Sequence, residues 1–458
     1  MIKYNNIFFS GKKKELIILF VILIIIKYNI LINKINLKLN DNYLNIQKYL
    51  NMSFNKHLTN KIKIGIYGYS IKNGGRARMT AILINYIDKL KIFNIYLFTK
   101  VNKEQNEYKV PLNIKRTKIN NNLFKILKKY KINCLIYELD DVNEIRTLNN
   151  LENIKIIFYH HSSAFDWIYG NYTIFKNIYK EFQISKYFVS IVPFENDYLL
   201  KKWGVNSIFI NDFITFNYDS IIPSDLSTKK ILLIGRGNAK KKRFHIAILS
   251  MEYIIKEICD CELDIIANLT GVYNKQILVK NLNLENNVFF IGYSSSPEIF
   301  FKNASLHIFP SISESFGLVL CETKIYGIPN ILIGLDYLSI SKGGTIIVYD
   351  DSPEVFAREA MKILLNSKKK KKLGIEGRKN MKKFNNEYLF KKWIKFILSV
   401  YNGDKYYQIL KEKDKILNDK DIFFILNNQI KLLKKRIIDF DDITFNKFIN
   451  YSYMNSVI

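Results

Sequence analysis

Proline and glycine are both scarce, 7 and 19 of 458 residues, against usual frequencies of about 5% and 7%. This excludes a collagen-like repeat, and it makes each glycine cluster informative because composition alone does not supply it. Four cysteines (Cys134, Cys259, Cys261, Cys321) are too few for a disulfide scaffold, and Cys259-Asp260-Cys261 matches no common zinc spacing. Acidic residues are outnumbered, 41 against 70 Lys and Arg, for a formal net charge of +29. Such an excess favours anionic partners: phosphates, nucleic acid or acidic lipid surfaces. Asn, Lys and Ile dominate the chain, so part of that excess is ordinary solvated surface. Long apolar runs are missing except near the N-terminus, which excludes a polytopic membrane protein. What is present is an ordinary globular balance, 48% hydrophobic and 24% charged, in a chain long enough for roughly two to four domains.

Residues 1–60 read as a cytoplasmic tail, a signal anchor and a stem. Leu16 to Ile26 is unbroken apolar sequence; Lys27-Tyr28-Asn29 interrupts it and Ile30-Leu31-Ile32 resumes, a length at the short end of a bilayer span. Lys12, Lys13 and Lys14 keep the N-terminus cytoplasmic by the positive-inside rule, although Lys27, Lys34 and Lys38 lie on the other side. No small-residue cleavage site follows. The expectation is a single-pass type II membrane protein of the Golgi or endoplasmic reticulum.

From Lys61 strands alternate with helices. Strands are expected at 62–67, 94–99, 134–138 and 154–159, with a helix over about 77–90. Residues 207–230 are irregular and polar and read as a linker. A second series follows, with strands at 230–234, 263–267, 288–291, 306–309 and 329–333 and helices over about 244–258 and 317–326. Strand–helix alternation implies parallel βαβ units. The expected fold class is therefore α/β: two Rossmann-like parallel-sheet domains, 61–215 and 229–387, facing across a cleft at the carboxyl ends of their strands. A crossover helix (388–403) and a basic helical tail (404–458) complete the division, with no chemistry assigned to the tail.

Four stretches carry candidate chemistry. In His307 to Glu322 an apolar strand ends at Pro310, and a polar loop with Glu314 leads to Phe316, Gly317, Leu318 and an apolar helix bearing Glu322. Such a step aims free amides and the helix dipole at an anion, and carboxylates accept paired bonds from vicinal hydroxyls, as on a sugar or ribose. Gly235-Arg236 follows the first strand of the second series, with Lys242 six residues on; two cations there can grip a diphosphate. Asn73-Gly74-Gly75-Arg76-Ala77-Arg78 joins the first strand and helix, where paired glycines allow close backbone approach. His160-His161-Ser162-Ser163 follows a strand's carboxyl end, and the sequence does not say which histidine enters the cleft. Asp439-Phe440-Asp441 has the spacing of a metal-binding Asp-x-Asp but lies in the tail.

Together these resemble glycosyltransferase family 4. Pro310-Ser311-x-x-Glu314-x-Phe316-Gly317-x-x-x-x-Glu322, then Gly327-x-Pro329, resembles its Glu-x7-Glu signature. Gly235-Arg236 with Lys242 is similar to its phosphate grip, Gly74-Gly75-x-x-Arg78 to its first-domain glycine loop, and Asn211-Asp212-Phe213 to its linker motif. Val288 to Tyr293 resembles the strand that positions the nucleotide base. The chain departs from the pattern at Arg243, where Gly usually follows the lysine, at Ser315, and at the linker motif, which lacks its proline.

The resemblance implies the GT-B fold and a retaining transfer from a nucleotide-sugar, with a UDP-sugar as the default, to a glycan, lipid-linked or protein-linked acceptor. No metal or other cofactor and no nucleic acid is implied. Arg236, Lys242 and the amides near Phe316, Gly317 and Leu318 would stabilise the leaving diphosphate. Glu314 would hold donor-sugar hydroxyls and Glu322 the ribose hydroxyls, with Gly75 and Tyr293 beside the donor. His160 or His161 would bond a donor hydroxyl or orient the acceptor. No protein nucleophile is expected, because no suitably placed carboxylate is evident in the first unit. The alternatives are another enzyme on this fold, such as a sugar-nucleotide epimerase, and a non-catalytic protein binding nucleotides or other anions.

Overall fold

The structure is a computed structural model, and it describes residues 62–436 except 73, 121, 139–141, 164, 166–179, 201–203, 206, 217, 237–239, 270–271, 295 and 404–416. The expected anchor and stem, and Asp439-Phe440-Asp441, lie outside the described residues. No helix among the described residues is long and apolar enough to cross a membrane.

Two parallel sheets organise the chain. The first has seven strands in the order β3-β2-β1-β4-β5-β6-β7: β1 (Ile62–Gly68), β2 (Phe93–Thr99), β3 (Lys115–Lys118), β4 (Cys134–Glu138), β5 (Lys155–His160), β6 (Tyr187–Ser190) and β7 (Ser207–Phe209). The second has six in the order β10-β9-β8-β11-β12-β13: β8 (Lys230–Ile234), β9 (Glu262–Ile266), β10 (Val288–Phe290), β11 (Leu306–Phe309), β12 (Asn330–Ile333) and β13 (Thr345–Val348). Every pairing is parallel. Both orders are doubly wound, so each sheet has a switch point, between β1 and β4 and between β8 and β11. Loops part at a switch point and leave a crevice.

The central strands read as nearly continuous apolar runs because helices cover both faces. Ile64, Ile66, Leu135, Ile136, Ile231, Leu233, Ile308 and Ile331 are all buried. Four strands escape the sequence pattern. Lys115-Arg116-Thr117-Lys118 is a charged edge strand, a composition that blunts sheet edges. β6, β7 and β13 have only four, three and four residues; β7 falls inside the stretch read as a linker.

Helices α1 (Gly74–Lys89), α2 (Leu123–Tyr130) and α3 (Val142–Asn149) belong to the first sheet. The second carries α4 (Phe244–Glu257), α5 (Tyr273–Asn281), α6 (Glu298–Lys302), α7 (Leu318–Ile325), α8 (Pro353–Leu364) and α9 (Ser367–Met381). The scarce glycines let α9 press against α7: a Cβ on Gly374 would stand 2.3 Å from the Gly327 carbonyl oxygen, and one on Gly344 would stand 2.5 Å from Gly377 Cα. Helix α10 (Asn386–Asn402) returns to the first sheet. There Trp393 meets Tyr159 edge-on at 4.9 Å and Phe390 lies 5.0 Å from Tyr86. Asn386 exchanges two hydrogen bonds with the Ile214 backbone. In the tail, helix α11 (Asp419–Arg436) packs on the second domain, inserting Leu432 into its core.

Candidate active site

The second switch point is built by two loops. After β8 the chain passes Gly235 and Arg236 and makes a short 3₁₀ turn over Lys240–Lys242 before α4. The Lys242 side chain runs back over Gly235, where an added Cβ would sit 3.5 Å from its Cδ. Its ammonium reaches Glu314 Oε1 at 2.5 Å and lies 5.1 Å from the centre of the Phe309 ring. Arg236 is exposed and makes no ion pair among the described residues. Arg243 has φ +49°, the left-handed region, which explains why a glycine suits this position. A side chain there costs about 1–2 kcal/mol, offset in part by the Arg243 Nη1–Asp351 ion pair at 2.8 Å.

Opposite, the loop after β11 ends at Gly317, left-handed at φ +84°, which caps α7. The Glu314 amide donates to the Tyr337 hydroxyl at 3.0 Å, and that hydroxyl donates to the Glu314 carbonyl at 3.1 Å. Phe316 is buried against Phe384 rather than open to a ligand. Beneath the loop, buried His307 lies 2.7 Å through Nδ1 from Asn330 Oδ1, which also accepts from Thr323. Its Nε2 is buried with no hydrogen-bond partner among the described residues. Burial, with Lys242 nearby, lowers its pKa to about 4 against the opposing Asn330 hydrogen bond.

Glu322 is buried on α7. Its Oε1 pairs with Arg78 Nη1 at 2.9 Å and accepts from Thr215 Oγ1 at 2.9 Å. Burial raises its pKa, and Arg78 and Thr215 act against that rise. Arg78 stands on α1, so this ion pair joins the two domains. Gly75 approaches the same helix end: a Cβ there would come within 2.8 Å of Leu318 Cδ1. Tyr293 is exposed just after Gly292 (φ +91°); nearby Tyr108 has its pKa raised by burial, with Arg78 acting against the rise.

The first switch point holds a second cluster. Adjacent strand residues face opposite sides, and the two histidines part accordingly. His160 is buried between Phe182 and Phe188, with Nδ1 3.1 Å from Glu195. His161 lies against Tyr159, with ring centres 3.8 Å apart; its Nδ1 is 3.5 Å from Asp212 and its Nε2 3.7 Å from Glu138. Burial is the main cause lowering the His161 pKa, and Asp212 opposes it. Tyr159 also donates to Asp212 at 2.8 Å. Arg76 Nε stands 3.6 Å from Glu138 Oε2.

The first unit also holds a carboxylate that the sequence reading passed over: Glu138, the last residue of β4, is 1% exposed and sits at the switch point. The strand-end argument that singles out the histidines applies equally to β4. Tyr337 and Thr215 carry no such local signal. Arg78 and Asp212 stand in quoted motifs, without an assigned role.

Comparison with known proteins places this geometry. Residues 217–380 match the family model described as glycosyl transferases group 1, so the chain carries a glycosyltransferase domain over that range. The poly(glycerol-phosphate) alpha-glucosyltransferase of Bacillus subtilis (strain 168) is 32% identical over 108 residues, 24% of this chain and 16% of the relative. The chain thus spans about a sixth of that relative's length. Among solved structures, sucrose-phosphate synthase from Thermosynechococcus elongatus superposes with a TM-score of 0.62 at 16% identity, covering 75% of this chain and all of that one. Anabaena HepE in complex with UDP and glucose gives 0.60 at 12% identity, covering 74% and 99%. The two doubly wound domains are GT-B-like.

Proposed function

We propose that this chain, with its group 1 glycosyltransferase domain as the premise, is a retaining enzyme of the Glu-x7-Glu kind. It moves a sugar from a nucleotide-sugar, a UDP-sugar first, to a glycan, lipid-linked or protein-linked acceptor, without a metal ion. The observation that carries the reading is the Lys242–Glu314 pair at the second switch point, beside the capped end of α7, a helix that α1 of the first domain approaches. The Anabaena protein's complex with UDP and glucose supports the choice of donor. A relative named for an alpha linkage supports retention.

The chemistry follows from charge. Breaking the bond between sugar and diphosphate leaves positive character on the sugar and negative charge on the phosphate. Lys242 is paired with Glu314. A diphosphate entering the crevice takes over Lys242, with Arg236 and the amides around Gly317 adding to the grip, and frees the Glu314 carboxylate for the sugar hydroxyls. Losing one such stabilising donor costs about 10²–10³ in rate. Glu322 holds the ribose while Arg78 and Thr215 keep it ionised and oriented. On the other wall His161, fixed between Asp212 and Glu138, orients the acceptor hydroxyl.

The test is to incubate the full chain with radiolabelled UDP-sugars, with and without glycan and poly(glycerol phosphate) acceptors, in EDTA. Acceptor-dependent transfer with the donor's anomeric configuration kept in the product supports the proposal. Donor epimerised without transfer, or no donor consumed or bound across the panel, refutes it.

A further inference from the structure

Tyr337 lies in the loop after β12 and is 1% exposed. Its hydroxyl holds both the amide and the carbonyl of Glu314, so one phenol pairs with both backbone polar groups of that residue. Its ring lies 4.5 Å from Phe165 of the first domain, four residues beyond His161, and Phe165 stacks on Phe194 at 5.6 Å. The neighbouring Asp336 is buried enough to raise its pKa and accepts from Tyr349, Asn428 and Gln429 at 3.2, 3.1 and 3.2 Å. Asn428 and Gln429 belong to α11, and just before that helix the Leu417 amide donates to Asp197 of the first domain at 2.8 Å. The loop bearing Tyr337 is therefore tied to Glu314, to the first domain and to the tail helix.

We infer that Tyr337 is a positioning residue that fixes Glu314 for the donor sugar, completed across the domain boundary by Phe165 and held in place by α11. This rests on the donor-sugar role given to Glu314 above. The physical need is plain: Glu314 sits in an irregular loop, and its carboxylate is also held by Lys242. Once a diphosphate draws Lys242 away, that tie is lost, and the backbone clamp keeps the carboxylate within reach of the sugar. Sequence reading assigned the tail no chemistry; here it gains an indirect part.

The experiment uses the full chain carrying Tyr337→Phe, with Phe165→Leu as a second variant that leaves the hydroxyl in place. Hydrogen exchange over residues 310–317 rises about tenfold in Tyr337→Phe whether or not sugar is transferred; unchanged exchange overturns the clamp. With the UDP-sugar that the wild type turns over, kcat falls about tenfold while the Kd for UDP stays within twofold. The loss disappears when Tyr337→Phe is added to Glu314→Ala. An equal loss in that background, or a kcat within twofold of wild type, overturns the positioning role. Phe165→Leu lowers kcat in the same direction by a smaller factor, and an unchanged value removes Phe165 from the inference. Absence of transfer by the wild type counts against the proposed function alone, because the exchange readout still decides the clamp.

Discussion

The two switch points place charged clusters in equivalent positions of their sheets, yet they are assembled differently. The second is compact in sequence: Gly235 to Lys242 meets His307 to Glu322, two strand–loop–helix steps that each carry a local pattern. The first is dispersed, with Glu138, His161 and Asp212 arriving from β4, β5 and the segment after β7. A group that must cradle a diphosphate needs amides and cations from one turn, so its residues stay together along the chain. A cluster of side chains that orients a hydroxyl needs only converging strand ends, and the chain can supply them from anywhere.

The strongest way to sharpen this contrast is to break the second cluster. Lys242→Ala removes the cation proposed to meet the leaving group and is expected to lower the transfer rate by about 10²–10³, measured as kcat/KM with the working donor. In the first cluster, Glu138→Gln is expected to cost about 100-fold through misorientation of the acceptor side, with donor affinity unchanged in a competition assay. Donor affinity lost together with rate would mean that the two clusters do not divide the substrates as described.

The ion pair that joins the walls gives the next effect. Arg78→Met leaves buried Glu322 without its cation, and the pair is buried on one side only, so a loss of about 2 kcal/mol is expected. The sign with pH is fixed by the raised pKa of Glu322. The neutral form is the one burial favours, so stability is lost as pH rises through that raised pKa. The penalty in urea titrations is therefore larger at pH 8 than at pH 5; a penalty that grows toward acid contradicts the pairing.

His307 gives an effect confined to acid pH and absent near neutrality. Its pKa in the folded chain is lowered to about 4, while in the unfolded chain it lies near 6.5. The unfolded chain then binds the extra proton between these values, and stability falls as pH drops through that window, by up to about 1.4 kcal/mol per unit. His307→Gln should flatten this part of the profile, and an unchanged slope would exclude His307 as its source.

Legibility in the sequence followed the same division. Strands 134–138, 230–234 and 306–309 lie where the apolar runs put them, because a buried parallel strand must be apolar on both faces. Lys242 and Glu314, singled out in two separate stretches, meet in an ion pair that neither stretch discloses. Glu322 is held by Arg78, a partner 244 positions away that no local pattern reveals. Phe316 and His160 are packed among aromatic rings, because a sequence cannot say which side of the backbone a residue takes. Arg243, standing where a glycine is usual, occupies a left-handed turn, a conformation that the substitution alone did not disclose.

The most direct test of the central claim is calorimetric titration of UDP into the wild type, Lys242→Ala and Glu138→Gln. The account predicts binding to the wild type, at least tenfold weaker binding to Lys242→Ala, about 1.4 kcal/mol, and wild-type affinity for Glu138→Gln. Equal affinity of the wild type and Lys242→Ala, or no binding to the wild type, would contradict it.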